Sequence, residues 1–244
     1  MILTFLGAPR TATTSLWIAL SNHKNIATSK IKEPWNSLVF SQNKYFEQFK
    51  ITEDTKILLD GTPCSYHYNW VAMKPVLKDI PMKIIYPIRD PYDRIYSTIL
   101  QTIVSILKGH KKIKTRSCFP KFIEKNKINK DEIIKHFPIY LDSENLKYAY
   151  KFTDDFFIFD FYKLKFNDIF NFLGVESIDL EMPKENTIEQ QAGDKILNSK
   201  RFKEIKEQLD DLFYKNEQLD YLIKEDRRKL KKKWGIEFEV KMKK

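Results

Sequence analysis

Apolar and polar positions follow two different periods along this chain. Short apolar runs bounded by turn residues predict buried strands at 2–6 (ILTFL), near 25–29, at 56–60 (KILLD), 83–88 (KIIYPI) and 156–161 (FFIFDF). Helical spacing appears in between. Residues 14–22 carry Leu16, Trp17, Ala19 and Leu20, and 92–107 carries Ile95, Ile99, Ile103 and Leu107. After the last strand a helix runs through Phe170 to Leu173 and stops at Gly174. From about 198 to 233 the chain reads as helical and highly charged. The turn signal Gly61-Thr62-Pro63 ends the third strand, and Pro87 predicts that the fourth stops at Arg89. In KIKEPW, Pro34 keeps the backbone before it out of the helical region.

Strands alternating with helices predict an α/β fold with right-handed crossovers. The expectation is a single domain over 1–244, with a central parallel sheet flanked by helices. A P-loop-like strand–loop–helix unit opens it, and the C-terminal third is helical. No repeat or low-complexity linker interrupts the pattern.

Composition narrows the class. A chain of 244 residues with 42% hydrophobic and 14% aromatic residues can bury a substantial core. No apolar run approaches the roughly 18 residues of a membrane span. The N-terminal apolar run is too short for a signal peptide and has no basic region before it. The expectation is a soluble, cytoplasmic protein without a membrane partner. Cys64 and Cys118 have no CxxC partner and no nearby histidine, so neither a disulfide framework nor a zinc site is expected. The net charge of +10 is uneven: +7 falls in 108–136 and +6 in 224–244. Such segments read either as solvated helical faces or as a field that attracts anions.

The opening stretch, MILTFLGAPRTATTSLWIAL, points to an anion. A strand that turns directly into a helix leaves backbone N–H groups at the helix start, where the macrodipole favours negative charge. Small residues let the backbone approach a phosphate. Thr13 and Thr14 add hydroxyls and Arg10 adds charge. Against the P-loop pattern G-x-x-x-x-G-K-[ST], Gly7 fits the start, but Ala12 replaces the second glycine and Thr13 the lysine. The alternative is an ordinary helix start capped by Thr13 or Thr14. A second stretch, PIRDPYDRIYSTIL, puts Arg89 at a strand end and Arg94 and Ser97 in the helix that follows. The carboxyl ends of parallel strands line the usual ligand crevice, where Arg89 and Ser97 could hold a second phosphate. The competing reading pairs Arg89 or Arg94 with Asp90 or Asp93.

GAPRTATTSL, KEPW, DGTPCSY and PIRDPYDRIYSTIL, in that order and spacing, resemble the sulfotransferases that use 3′-phosphoadenosine 5′-phosphosulfate (PAPS). FIFDFYKLKFNDIFNFLGV is similar to that family's later strand and helix. The resemblance covers most of residues 1–175, and the KEP element is nearer the carbohydrate (heparan-type) branch. It implies that Arg10, Thr11, Ala12, Thr13, Thr14 and Ser15 hold the 5′-phosphosulfate. Arg10 stands where many members have lysine, and Ala12 where they usually have glycine. Arg89 and Ser97 match the 3′-phosphate motif, and Glu33 matches the general base. His67, in SYHYNW, is a rival base. The implied reaction is in-line transfer of a sulfuryl group to a hydroxyl or amine of a carbohydrate or small molecule. It needs no metal and leaves adenosine 3′,5′-bisphosphate (PAP) as product. Three alternatives remain open: a P-loop nucleotide phosphotransferase, a basic nucleic-acid binder without catalysis, and a sulfotransferase fold that keeps the donor site but lacks activity.

Overall fold

A computed structural model describes residues 1–7, 10–34, 41–62, 75, 77, 79–109, 122–124, 127–150, 153, 155–184 and 187–238. The elements are β1 (Ile2–Leu6), α1 (Thr13–Leu20), β2 (Ile26–Thr28), α2 (Gln42–Phe46), β3 (Ile57–Asp60), β4 (Met82–Ile88) and α3 (Pro91–Leu107). There follow β5 (Ile123–Glu124), β6 (Lys127–Ile128), α4 (Lys130–His136), α5 (Asp142–Ala149), β7 (Phe156–Asp160) and α6 (Phe166–Leu173). The last elements are α7 (Ile188–Ala192), α8 (Asp194–Leu197), α9 (Lys200–Lys215) and α10 (Glu217–Trp234). The chain forms two compact units, Met1–Arg89 with Asn145–Glu185, and Asp90–Glu144 with Asn186–Lys244.

The first unit holds a five-stranded sheet in the order β2-β3-β1-β4-β7. Every neighbouring pair is parallel. All five strands are therefore the ones the apolar runs predict, to within one residue at most ends. β3 is buried at every position and β4 at its last five, which is why their sequences run apolar without alternation. Leu6, Ile57, Leu59 and Ile85 of the sheet pack with Leu16 and Leu20 of α1 and with Ile169, Phe170 and Leu173 of α6. Each such side chain contributes roughly 1.5–3 kcal/mol on burial. α6 ends at Gly174, whose φ of 71° gives the left-handed turn a helix C-terminus favours. β1 and β4 are neighbours, and β3 and β7 lie on their outer sides, so successive connections leave in opposite directions there. Such a switch point opens a crevice at the carboxyl ends of the strands.

The second unit packs α3 against α7, α9 and α10. Its core gathers Ile95, Ile99 and Ile103 of α3 with Leu209 and Phe213 of α9 and Leu219 and Ile223 of α10. The helical C-terminal third expected near 198–233 is broken at Asn216, whose side chain accepts from Leu219 N–H and starts a new helix. On α10 the acidic residues sit in the first turn and Lys231, Lys232 and Lys233 in the last, as the macrodipole favours. Pairs such as Lys224–Asp220 and Arg228–Glu225 spread charge over a solvated face, which accounts for much of the basic C-terminal segment. In the other basic segment, residues 110–121 and 125–126 lie outside the described residues. No helix among the described residues is long and apolar enough to cross a membrane.

Candidate active site

The carboxyl ends of β1, β2 and β3 bring three loops of the first unit together. After β1 the chain turns through Arg10, Thr11 and Ala12 into α1. Arg10 has φ 64° and Ala12 φ 55° with ψ 31°, so both lie in the left-handed region. Only three described non-glycine residues do so, and two of them are in this turn. Each costs about 1–3 kcal/mol, and such strain clusters at active sites, ligand clamps and switch regions. Left-handed residues within a turn fold successive N–H groups into an anion-binding concavity. The helix N-cap is Ala12, with no side-chain hydrogen bond, so the alternative of an ordinary helix start capped by Thr13 or Thr14 does not hold. Thr11, Thr13 and Ser15 are buried, while Arg10, Ala12 and Thr14 are half-buried. Gly7 serves packing. A Cβ there would lie 2.9 Å from the Tyr86 ring on β4.

Beyond β2, the loop carries Lys32 and Glu33. Lys32 Nζ donates to Thr13 Oγ1 at 3.2 Å and to Glu33 Oε1 at 3.1 Å. Glu33 therefore stands one side chain away from the β1–α1 turn, as its place after a short strand implied. At the end of β3, Asp60 is fully buried. It accepts from Tyr45 O–H at 2.5 Å and from Thr62 N–H at 2.7 Å. Burial pushes its carboxyl up to about 6, opposed by the hydrogen bonds from Thr62 and Tyr45 and helped slightly by the charge of Glu33. Gly61 follows, packed directly on Lys32 and Trp17.

On the far side of the switch point, Arg89 follows β4 and Tyr162 follows β7. Arg89 Nε donates to Tyr162 O–H at 2.9 Å, and the guanidinium carbon lies 5.9 Å from the centre of that ring. Parallel pairing of Ile88 with Asp160 sets the two loops side by side. Ser97 lies on α3 in the second unit and is half-buried. Arg94, in the same helix, is fully buried and paired with Asp142. Asp90 caps α3 and is bound by Arg227. His67, Cys64 and Cys118 lie outside the described residues.

Lys32, Asp60, Gly61 and Tyr162 escaped the sequence reading as site residues. Only the neighbour order β2-β3-β1 and β4-β7 reveals them, although KIKEP, DGTP and FDFYK were each visible as strand-end loops.

No protein-family model matches the chain, and no curated protein sequence does. Among solved structures it is similar to a sulfotransferase from Alicyclobacillus acidocaldarius, with a TM-score of 0.56 and 15% identity over 94% of each chain. A sulfotransferase domain from the curacin biosynthetic pathway aligns over 84% of this chain and 82% of its own, also at 15% identity. Its TM-score of 0.43 is too low to carry an argument. The first likeness concerns the fold, which is that of a sulfotransferase: an α/β architecture on a central parallel sheet flanked by helices.

Proposed function

We propose that the chain is a sulfotransferase that moves a sulfuryl group from PAPS to a hydroxyl or amine of a carbohydrate or small molecule. The observation that carries this reading is the strained turn at Arg10 and Ala12, which opens α1 beside the Lys32–Glu33 pair. The turn suits the group chemically. It offers left-handed backbone, two threonine hydroxyls and a guanidinium to an anion, with no acidic residue in the first turn of α1 to repel it. PAPS supplies an activated sulfuryl group on a 5′-phosphate.

This chain's residues divide the remaining work. Arg10 to Ser15 bind the 5′-phosphosulfate, and Arg10 neutralises charge on the departing phosphate. Arg89, across the switch point, takes the 3′-phosphate, with Tyr162 holding its guanidinium in place. Glu33 accepts the proton of the acceptor hydroxyl as that oxygen bonds to sulfur. The bond from sulfur to the 5′-phosphate oxygen breaks, and its electron pair leaves on PAP. As in phosphoryl transfer, positioning and charge stabilisation do most of the work.

Glu33→Gln keeps the side chain's shape and cannot take the proton. With labelled PAPS and a panel of sugars and alcohols, transfer is expected to fall about 10²–10⁴-fold while affinity for PAP is retained. Near-normal transfer in this variant would remove Glu33 from the mechanism and bring His67 forward.

A further inference from the structure

Lys32 has no part in the scheme above, yet it touches both halves of it. We infer that Lys32 is a donor-binding residue, whose ammonium delivers at Thr13 the charge that the β1–α1 turn lacks there. This rests on the proposed donor site. Thr13 occupies the place of the lysine in the G-x-x-x-x-G-K-[ST] pattern, counted from Gly7 through Ala12. Its hydroxyl receives the Lys32 ammonium at 3.2 Å. A cation from the loop after β2 thus reaches the position from which the pattern's own lysine would act.

The route is built into the fold. Lys32 crosses over Gly61 at the end of β3. A Cβ at position 61 would lie 2.6 Å from Lys32 Cγ, 2.7 Å from its carbonyl oxygen and 2.9 Å from Trp17 Cδ1. Gly61 does not have the positive φ that calls for glycine, so the residue is bare for space rather than for conformation. The Lys32 side chain is 20% exposed, low for a lysine, whose ammonium is strongly hydrated. An ammonium has three N–H donors, and among the described residues Thr13 and Glu33 take two. The third is available to a phosphate or sulfuryl oxygen on the turn. One cation then joins the donor to Glu33.

The test compares two nucleotides by calorimetric titration: PAP, and adenosine 3′-phosphate, which lacks the 5′-phosphate. Their affinity ratio in the wild type measures what the 5′-phosphate contributes. Lys32→Met is expected to reduce that ratio about 10- to 100-fold, with the affinity for adenosine 3′-phosphate held within about twofold. Lys32→Gln, which retains a polar head, is the second variant and is expected to behave in the same way. Lys32→Arg is expected to restore part of the ratio. Gly61→Ala, which crowds the lysine stem, is expected to lose part of it, and an intact ratio there would contradict the route past Gly61. A wild-type ratio in Lys32→Met or Lys32→Gln overturns the inference and leaves the donor site standing. Equal weakening of both nucleotides makes Lys32 a structural residue and also overturns it. A wild type that binds PAP no better than adenosine 3′-phosphate overturns the donor site itself, and the inference with it.

Discussion

Two cation–carboxylate pairs in this molecule sit in contrasting surroundings. Arg94 and Asp142, 3.0 Å apart, have no exposed side-chain surface, and Asp226 beside them accepts from the backbone N–H groups of Asp142 and Ser143. Lys32 and Glu33, 3.1 Å apart, are 20% and 38% exposed at the open end of the parallel sheet. The first pair has given up water altogether, so its members are committed to each other and to the helical unit. The second keeps access to solvent and to the strained turn at Arg10–Ala12. A charge that must meet a ligand has to remain reachable, and a charge that holds a fold does not. The same kind of ion pair is therefore sealed in one unit and reachable from solvent in the other.

The largest expected break in this comparison comes from Arg94→Ala. It leaves Asp142 charged and buried without its partner, at a cost of about 3–5 kcal/mol in unfolding free energy. Chemical denaturation measures this, and a loss below about 1 kcal/mol would mean the pair is not structural. Asp60 sharpens the contrast, because it is equally buried but is bonded by a hydroxyl and an N–H. With its carboxyl raised from the usual 3.8 to about 6, the folded chain holds that proton more tightly than the unfolded chain does. The stability this provides is full below about pH 3.8, is lost as pH rises to about 6 and stays flat above. Asp60→Asn does not titrate there. Between pH 4 and 7 the wild type should lose roughly 2 kcal/mol relative to it, and parallel stability curves for the two proteins would contradict the shift. The smallest effect belongs to Glu33→Gln, which should change stability by under about 1 kcal/mol while abolishing most transfer. A large loss of stability there would make Lys32–Glu33 a structural pair like Arg94–Asp142.

The sheet was legible because strands covered on both faces must be apolar throughout, and turn residues mark their ends. The short α2 and α4 were not. Each is only five or seven residues long and rests on its cap, Ser41 or Asn129, more than on periodicity. The break at Asn216 was hidden for the same reason, since one capping side chain interrupts an otherwise continuous charged pattern. Arg10, Thr13, Glu33 and Arg89 were readable as candidates because each lies in the loop after a predicted strand or at the start of a helix. The partners of Arg89 and Arg94, Tyr162 and Asp142, lie 73 and 48 residues away and follow from strand order and helix packing. The family resemblance marks Ala12 as standing where glycine is usual, and the left-handed backbone found there is a conformation that glycine adopts freely. Alanine avoids that region by itself, so residue type could not predict it.

The central claim is that the turn after β1 and Arg89 after β4 hold the two phosphates of a sulfuryl donor. Thermal unfolding with PAP and, separately, with ATP and magnesium tests it most directly. PAP at about 100 times its dissociation constant should add about 2.7 kcal/mol of stability, a rise of roughly 5–10 °C in melting temperature, and exceed the effect of ATP. A melting temperature unmoved by saturating PAP and raised by ATP would contradict the account and make this a nucleotide phosphotransferase.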